Sequence, residues 1–385
     1  MSSNEKVAHY LAGYSLRELK DSATQRGDDN SANSSPNSAE GDSNIQALRF
    51  SFPLNLSLVF LRVSSLTTRT ERMAPVAIDA STFETFSQPP KPTSASATTK
   101  QTLANLDNDP LSRTYRSNKE GTIKLSTRYP DFGGDKFAER KWIKEHMAGA
   151  FRWWAKQGFG DGVSGHITVV DPVLPDHYWM NAFGIHFGRI TVSNLVLVSP
   201  KGYPVEGGAQ LPINTAGFHI HSAIHKARPD VKAAAHCHSI KGKTWSVFGK
   251  PIDLLTQDSC IFHDNLAVYS NFGGIVLAQE EGENIAAALG PKHRTAILQN
   301  HGLLTLGDTV DEAMALFTSL DRSCGVQLEV EAAAANGLKK SIIDEEDAKF
   351  TAATLQNPEN LYVNQQTEYD LLVAELEGTR MDFLK

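Results

Sequence analysis

Cysteine is nearly absent: Cys237, Cys260 and Cys324 are the only three in 385 residues. Three unpatterned thiols cannot build a disulfide framework, so a reducing compartment, the cytoplasm, is the expectation. An excess of positive charge is also lacking. Lysine and arginine total 37 against 44 acidic residues, a formal charge of −7, which argues for a soluble chain and against nucleic acid as its main partner. No apolar run reaches the roughly 20 residues that a membrane helix needs. The longest candidate, 50–66, is broken by Pro53, Asn55 and Arg62 and lies far from Met1, so neither a membrane span nor a secretory leader is expected. The glycine-rich turn 158–165 is followed by His166 rather than G-K-[ST], and the βαβ periodicity of a dinucleotide fold is missing.

What the chain does have is histidine in one telling place. Residues 231–239 read V-K-A-A-A-H-C-H-S. As a strand, this stretch would put His236 and His238 on one face and Cys237 on the other, because side chains alternate. A zinc site normally takes three or four protein ligands. His301, 63 residues after His238, sits at a turn on Gly302 between two short apolar runs. His236, His238 and His301 together would leave a fourth position for water or a substrate oxygen, the arrangement of a catalytic zinc. The competing reading is three partly buried, hydrogen-bonded histidines with no metal.

Along the chain, 27–44 and 88–101 are too rich in polar residues, proline and glycine to offset the entropy of ordering. Residues 1–130 are therefore expected to form a disordered arm, with an isolated apolar island at 48–66. A domain is expected over 132–345 and a tail over 346–385, in which Tyr362, Tyr369 and Phe383 could pin the chain to the body or to a neighbour. Asp135 should cap a helix to about Gln157. Strands are expected at 166–170, 176–188, 191–199, 231–239, 274–278, 294–299 and 302–306, and helices at 215–227, 240–248 and 283–289. Thr309 and Glu312 have the form of a capping box for a long helix ending at Asn336-Gly337. His221 and His225, four apart, share a helix face. The zinc-protease pattern H-E-x-x-H is excluded because Ser222 follows His221. The pattern as a whole predicts a mostly antiparallel sheet covered by helices on both sides.

Three stretches resemble the class II aldolase/adducin family: G-H-I-T-V at 165–169, I-H-K-A-R-P-D-V-K-A-A-A-H-C-H-S at 224–239, and Q-N-H-G-L-L-T-L-G at 299–307 with Glu312-Ala313 downstream. The resemblance covers about 210 residues. It implies a three-layer α/β/α fold in a homo-oligomer, a four-fold tetramer in many of the enzymes. It also implies one Zn2+ per chain on His236, His238 and His301, with Asn300 and His221 as supporting residues. The substrate or phosphate pocket it implies falls on Gly165, His166, Ser199, Ala216 and Gly217.

There are departures. The Ser-Glu pair of the family's sugar-phosphate aldolases falls on Ala216 and Gly217, and glycine cannot move a proton. The position of an asparagine that helps bind phosphate is His166, as in adducin-like members. The basic tail of adducins has no counterpart in 341–385. Two functions are therefore carried forward. One is a zinc-dependent lyase acting on a small sugar or polyol carbonyl compound through a zinc-stabilised enediolate. A substitute base would be needed, for which Asp258, His263, Asp264 and Glu206 qualify by chemistry alone. Ordinary fuculose- or rhamnulose-phosphate aldolase activity is not expected without the glutamate. The other is a noncatalytic, adducin-like, actin-associated cytoskeletal scaffold.

Overall fold

The computed structural model describes residues 111–274 and 279–385. Helix α1 (Lys136–Lys156) starts where Asp135 accepts hydrogen bonds from the backbone N–H groups of Phe137 and Ala138. Strands β1 (Gly165–Val170), β2 (Tyr178–Asn181) and β3 (Leu195–Val198) follow, then helix α2 (Thr215–Ala227), strand β4 (Ala233–Cys237) and the short helix α3 (Ile240–Ser246). Strand β5 (Leu266–Tyr269), helix α4 (Gln279–Leu289) and strands β6 (Thr295–Leu298) and β7 (Gly302–Gly307) complete the sheet. The long helix α5 (Val310–Ala335), α6 (Glu345–Leu355) and α7 (Pro358–Leu376) close the chain.

The seven strands are ordered β3-β2-β1-β4-β7-β6-β5. Every adjacent pair is antiparallel except β5–β6. Alternation sorts the side chains. Ile167, Val169, Ala233, Ala235, Cys237 and Leu303 pack against α1 and α5 on one face. On the other, Ala234, Leu304 and Leu306 meet Ile220 and Ile224 of α2 and Ile285 and Leu289 of α4. The result is a three-layer α/β/α fold. Strand β4 is central and roofed on both sides, which is why Ala233–Cys237 is buried without interruption.

Several expectations need correction. The segment 191–199 is only partly strand, because Val192–Asn194 forms a 3-10 turn before β3. Likewise 176–188 shortens to β2, and Phe187–Arg189 is a 3-10 turn. Strand β5 was not anticipated: L-A-V-Y is too short to show a period, and its parallel pairing with β6 supplies what the local sequence does not. The proposed strand 274–278 lies outside the described residues beyond Gly274, as do the island 48–66 and the arm as far as residue 110.

The capping box forms by half. Thr309 Oγ1 accepts from Glu312 N–H, but Glu312 turns to Asp308 N–H and Arg294 instead of closing back on Thr309. In the last stretch, Tyr362 and Phe383 are buried, and Tyr369 stacks on His146 at 4.1 Å between ring centroids. That imidazole is held from the other side by Trp142 at 4.0 Å, and its Nδ1–H donates to the Asp311 carboxylate at 2.8 Å.

Candidate metal centre

His236 is the penultimate residue of β4 and points to the α2 face, with His238 just beyond the strand end. His301 enters from the neighbouring β6–β7 turn. Asn300 takes a left-handed conformation there (φ 57°), a cost that asparagine bears more easily than most residues, and its N–H donates to Ser246 O. Pairing of β4 with β7 then brings the three imidazoles together. Their centroids are 4.6–5.1 Å apart, and one ring nitrogen from each lies within 4.8 Å of the others.

The donor set fits a metal cation. His236 Nδ1–H donates to Leu303 O at 2.8 Å, which leaves the Nε2 lone pair available for a ligand. Burial first, then repulsion from His301, His166 and His238, holds His236 well below its ordinary pKa. His301 is pushed down to about 4 by burial and by His238. His238 is lowered by burial and by Lys243. Three imidazoles whose burial favours the neutral form, each with a ring nitrogen within 4.8 Å of the others, are a donor set that a divalent transition-metal ion binds.

The cluster lies in the wall of a cavity of about 880 Å³. Val163, Phe183, Val247 and Phe272 give it apolar sides, while Asn300 and Lys243 are polar members of the lining. Lys243 Nζ is held at 3.0 Å from Asp161 Oδ2. No aspartate or glutamate lines this cavity among the described residues.

Of the expected pocket residues, Gly165, His166 and Ala216 line it. Gly165 has φ +128°, and a Cβ there would sit 2.7 Å from Cys237 Cβ, so glycine is required for β1 to lie against β4. Gly217 and Ser199 are not part of the lining; Ser199 Oγ accepts from Tyr203 N–H in the turn after β3. Asn300 reaches the cavity itself rather than standing behind the histidines. The substitute bases are not brought there. His263 pairs with Glu345 at 2.8 Å and Asp264 with Lys292 at 2.8 Å, Asp258 lies in a 3-10 turn, and Glu206 is in an exposed loop.

The sequence reading overlooked Thr168 and the part played by His225. Thr168 Oγ1 is 2.8 Å from His221 Nδ1 and 2.8 Å from His225 Nε2, and His221 Nε2 is 3.0 Å from His166 Nδ1. The i, i+4 spacing of His221 and His225 was the available signal.

A three-layer sheet protein with a tri-histidine cluster at one sheet end is the class that fold and site define. The family model "Class II Aldolase and Adducin N-terminal domain" matches residues 145–328. The Meiotically up-regulated gene 14 protein of Schizosaccharomyces pombe is 37% identical over 252 residues, 66% of this chain and 96% of its own. Decarboxylase NovR of Streptomyces niveus is 42% identical over 224 residues, 57% of this chain and 80% of its own. The solved structure of L-fuculose 1-phosphate aldolase from Glaciozyma antarctica PI12 is 41% identical with a TM-score of 0.59, covering 65% of this chain and 95% of that one. The chain belongs to the class II aldolase/adducin family.

Proposed function

We propose that this chain is a metal-dependent lyase that breaks a carbon–carbon bond beside a carbonyl or carboxyl group of a small oxygenated compound. The observation that carries this reading is the convergence of His236, His238 and His301, held neutral, in the wall of a cavity large enough for a small molecule. These three would hold one Zn2+ per chain, and the bound ion supplies Lewis-acid charge toward a substrate oxygen. Val163, Phe183, Val247 and Phe272 offer apolar contact to a bound molecule, and the Leu303 carbonyl fixes the His236 tautomer. Similarity to proteins titled a decarboxylase and an aldolase supports the reaction class. Aldol cleavage, and decarboxylation of a β-keto acid, each leave an electron pair on a carbon next to a carbonyl.

One observation favours a second reading, a noncatalytic adducin-like scaffold with actin as the partner: among the described residues, no carboxylate lines the cavity to act as a base. Elemental mass spectrometry of protein purified without a histidine tag is the first test, beside His236→Ala and His301→Ala. About one zinc per chain, lost in both variants, followed by retro-aldol or decarboxylation turnover in a carbonyl-compound panel, is the expected result. A fully metalated protein inert to the whole panel that nevertheless sediments with actin would leave the scaffold reading in its place.

A further inference from the structure

The cavity beside the histidines has two unlike parts. Lys243 is the only lysine, arginine, aspartate or glutamate in its lining among the described residues. Around it the mouth is apolar: Val163, Phe183, Val247 and Phe272 line the same space, and each is between 43% and 56% exposed. Single exposed apolar side chains are ordinary, but four converging on one cavity mark a binding surface.

Helix α3 sets the two parts side by side. It starts two residues after His238, and Lys243, Thr244 and Val247 fall on one side of it, where all three line the cavity. Thr244 Oγ1–H donates to Ile240 O at 2.7 Å, so its hydroxyl proton is already engaged. Lys243 Nζ is steadied at 3.0 Å by Asp161, which is not part of the lining. The two side chains are 37% and 60% exposed, and an ion pair so open to water is weak. A ligand carboxylate can therefore join or replace Asp161 with little loss.

Size and lining together select a ligand. A cavity of about 880 Å³ is in the upper part of the range that small-molecule sites span, and a three-carbon acid would fill little of it. A sugar or polyol would set hydroxyls against the four apolar side chains, where they lose water and gain no partner. An acid with one apolar group of aromatic size satisfies both parts.

We propose that the cavity takes a 2-oxo or 2-hydroxy acid bearing an aromatic-sized apolar group, with Lys243 on the carboxylate and Phe183, Val247 and Phe272 around the apolar group. The placing of the 2-oxygen toward the histidines rests on the lyase reading; the apolar preference and the role of Lys243 do not.

Calorimetric titration of the full-length chain, metal-free and zinc-loaded, compares 3-phenyllactate with lactate, which has the same head and no ring. 3-Phenyllactate should bind at least about tenfold tighter, the effect of burying one ring. The double variant Phe183→Ala, Val247→Ser should cut that ratio below about threefold; both side chains are half-exposed, so the core is untouched. Lys243→Gln should weaken 3-phenyllactate about tenfold while the neutral 3-phenyllactamide changes by less than about twofold. Equal affinity for the two acids, no binding of either, or a ratio that survives the double variant overturns the proposal. So does an equal loss of acid and amide in Lys243→Gln. Sedimentation velocity supplies the last check: an assembly that the double variant dissociates would make the apolar mouth a contact between copies and overturn the proposal. A ring preference without turnover of any carbonyl compound would sink the lyase reading alone, and turnover without the preference would sink this one alone.

Discussion

Substituting Gly217 by alanine tests the close packing of α2 on the His166 ring of β1. The backbone at 217 is ordinary helix, so no conformational strain is involved and the cost is steric. A methyl carbon 2.2 Å from His166 Cδ2 has to recover ordinary contact at about 3.5 Å, so the ring retreats by roughly 1 Å. That movement stretches the 3.0 Å bond to His221 beyond useful length. Overpacking of this kind costs about 1–3 kcal/mol. A buried imidazole nitrogen left unpaired adds about 1–3 kcal/mol. The gain from replacing glycine near the start of a helix offsets at most about 1 kcal/mol. The sum is about 1–6 kcal/mol, at mid-range a fall on the order of 10 °C in Tm for a domain of this size. Differential scanning calorimetry on metal-free protein reads it. The decisive control is the same substitution in a His166→Ala background, where it should be neutral or stabilising by up to about 1 kcal/mol. Equal losses in the two backgrounds would refute the argument.

Further outcomes follow from the same contacts. His225 is pushed down to about 4, and His221 well below its ordinary value, in both cases chiefly by burial. Below pH 6.5 the unfolded chain binds protons at these positions that the folded chain does not. Metal-free stability should therefore be complete above pH 6.5 and fall toward pH 4, by about 1.4 kcal/mol per pH unit for each such histidine. Glu312, raised to about 7 by burial, contributes with the opposite sign between its unfolded value and pH 7. Urea melts at pH 7, 6 and 5 measure the net slope, and a flat profile would contradict the assignment of buried neutral imidazoles. Asp171, fully buried, accepts two hydrogen bonds from Arg140 at 2.7 Å each and one from Trp179 Nε1–H at 2.6 Å. Asp171→Ala should cost about 3–5 kcal/mol by leaving Arg140 with no counter-charge there, visible as a lower urea midpoint. Asp135→Ala removes the α1 cap and should cost about 1 kcal/mol in the same assay.

The elements with local signatures were legible in the sequence. Asp135 marks a helix start, Gly337 follows the end of α5, and the i, i+2 spacing of His236 and His238 pointed at the histidine cluster before any tertiary contact was known. What escaped depends on neighbours distant in sequence. Strand β5 exists because β6 offers it a ladder. Glu312 abandons Thr309 because Arg294, 18 residues earlier, is the better partner in a buried setting. His166 looked like the loss of a phosphate contact and Gly217 like the loss of a base. Only the packing of α2 on β1 shows that the two positions share one volume.

The β4–β7 ladder has a kinetic consequence. It joins Ala233–Cys237 to Leu303–Gly307, and everything between, including α3, β5, α4 and β6, loops out from that seam. The cavity floor therefore does not exist until a long chain segment has closed, one of the slower events open to a folding domain. An ion held by His236 and His238 on one side and His301 on the other would fasten the mouth of that loop. Opening the seam would then require giving up at least one of its ligands, so the zinc-loaded protein should unfold more slowly than the metal-free one.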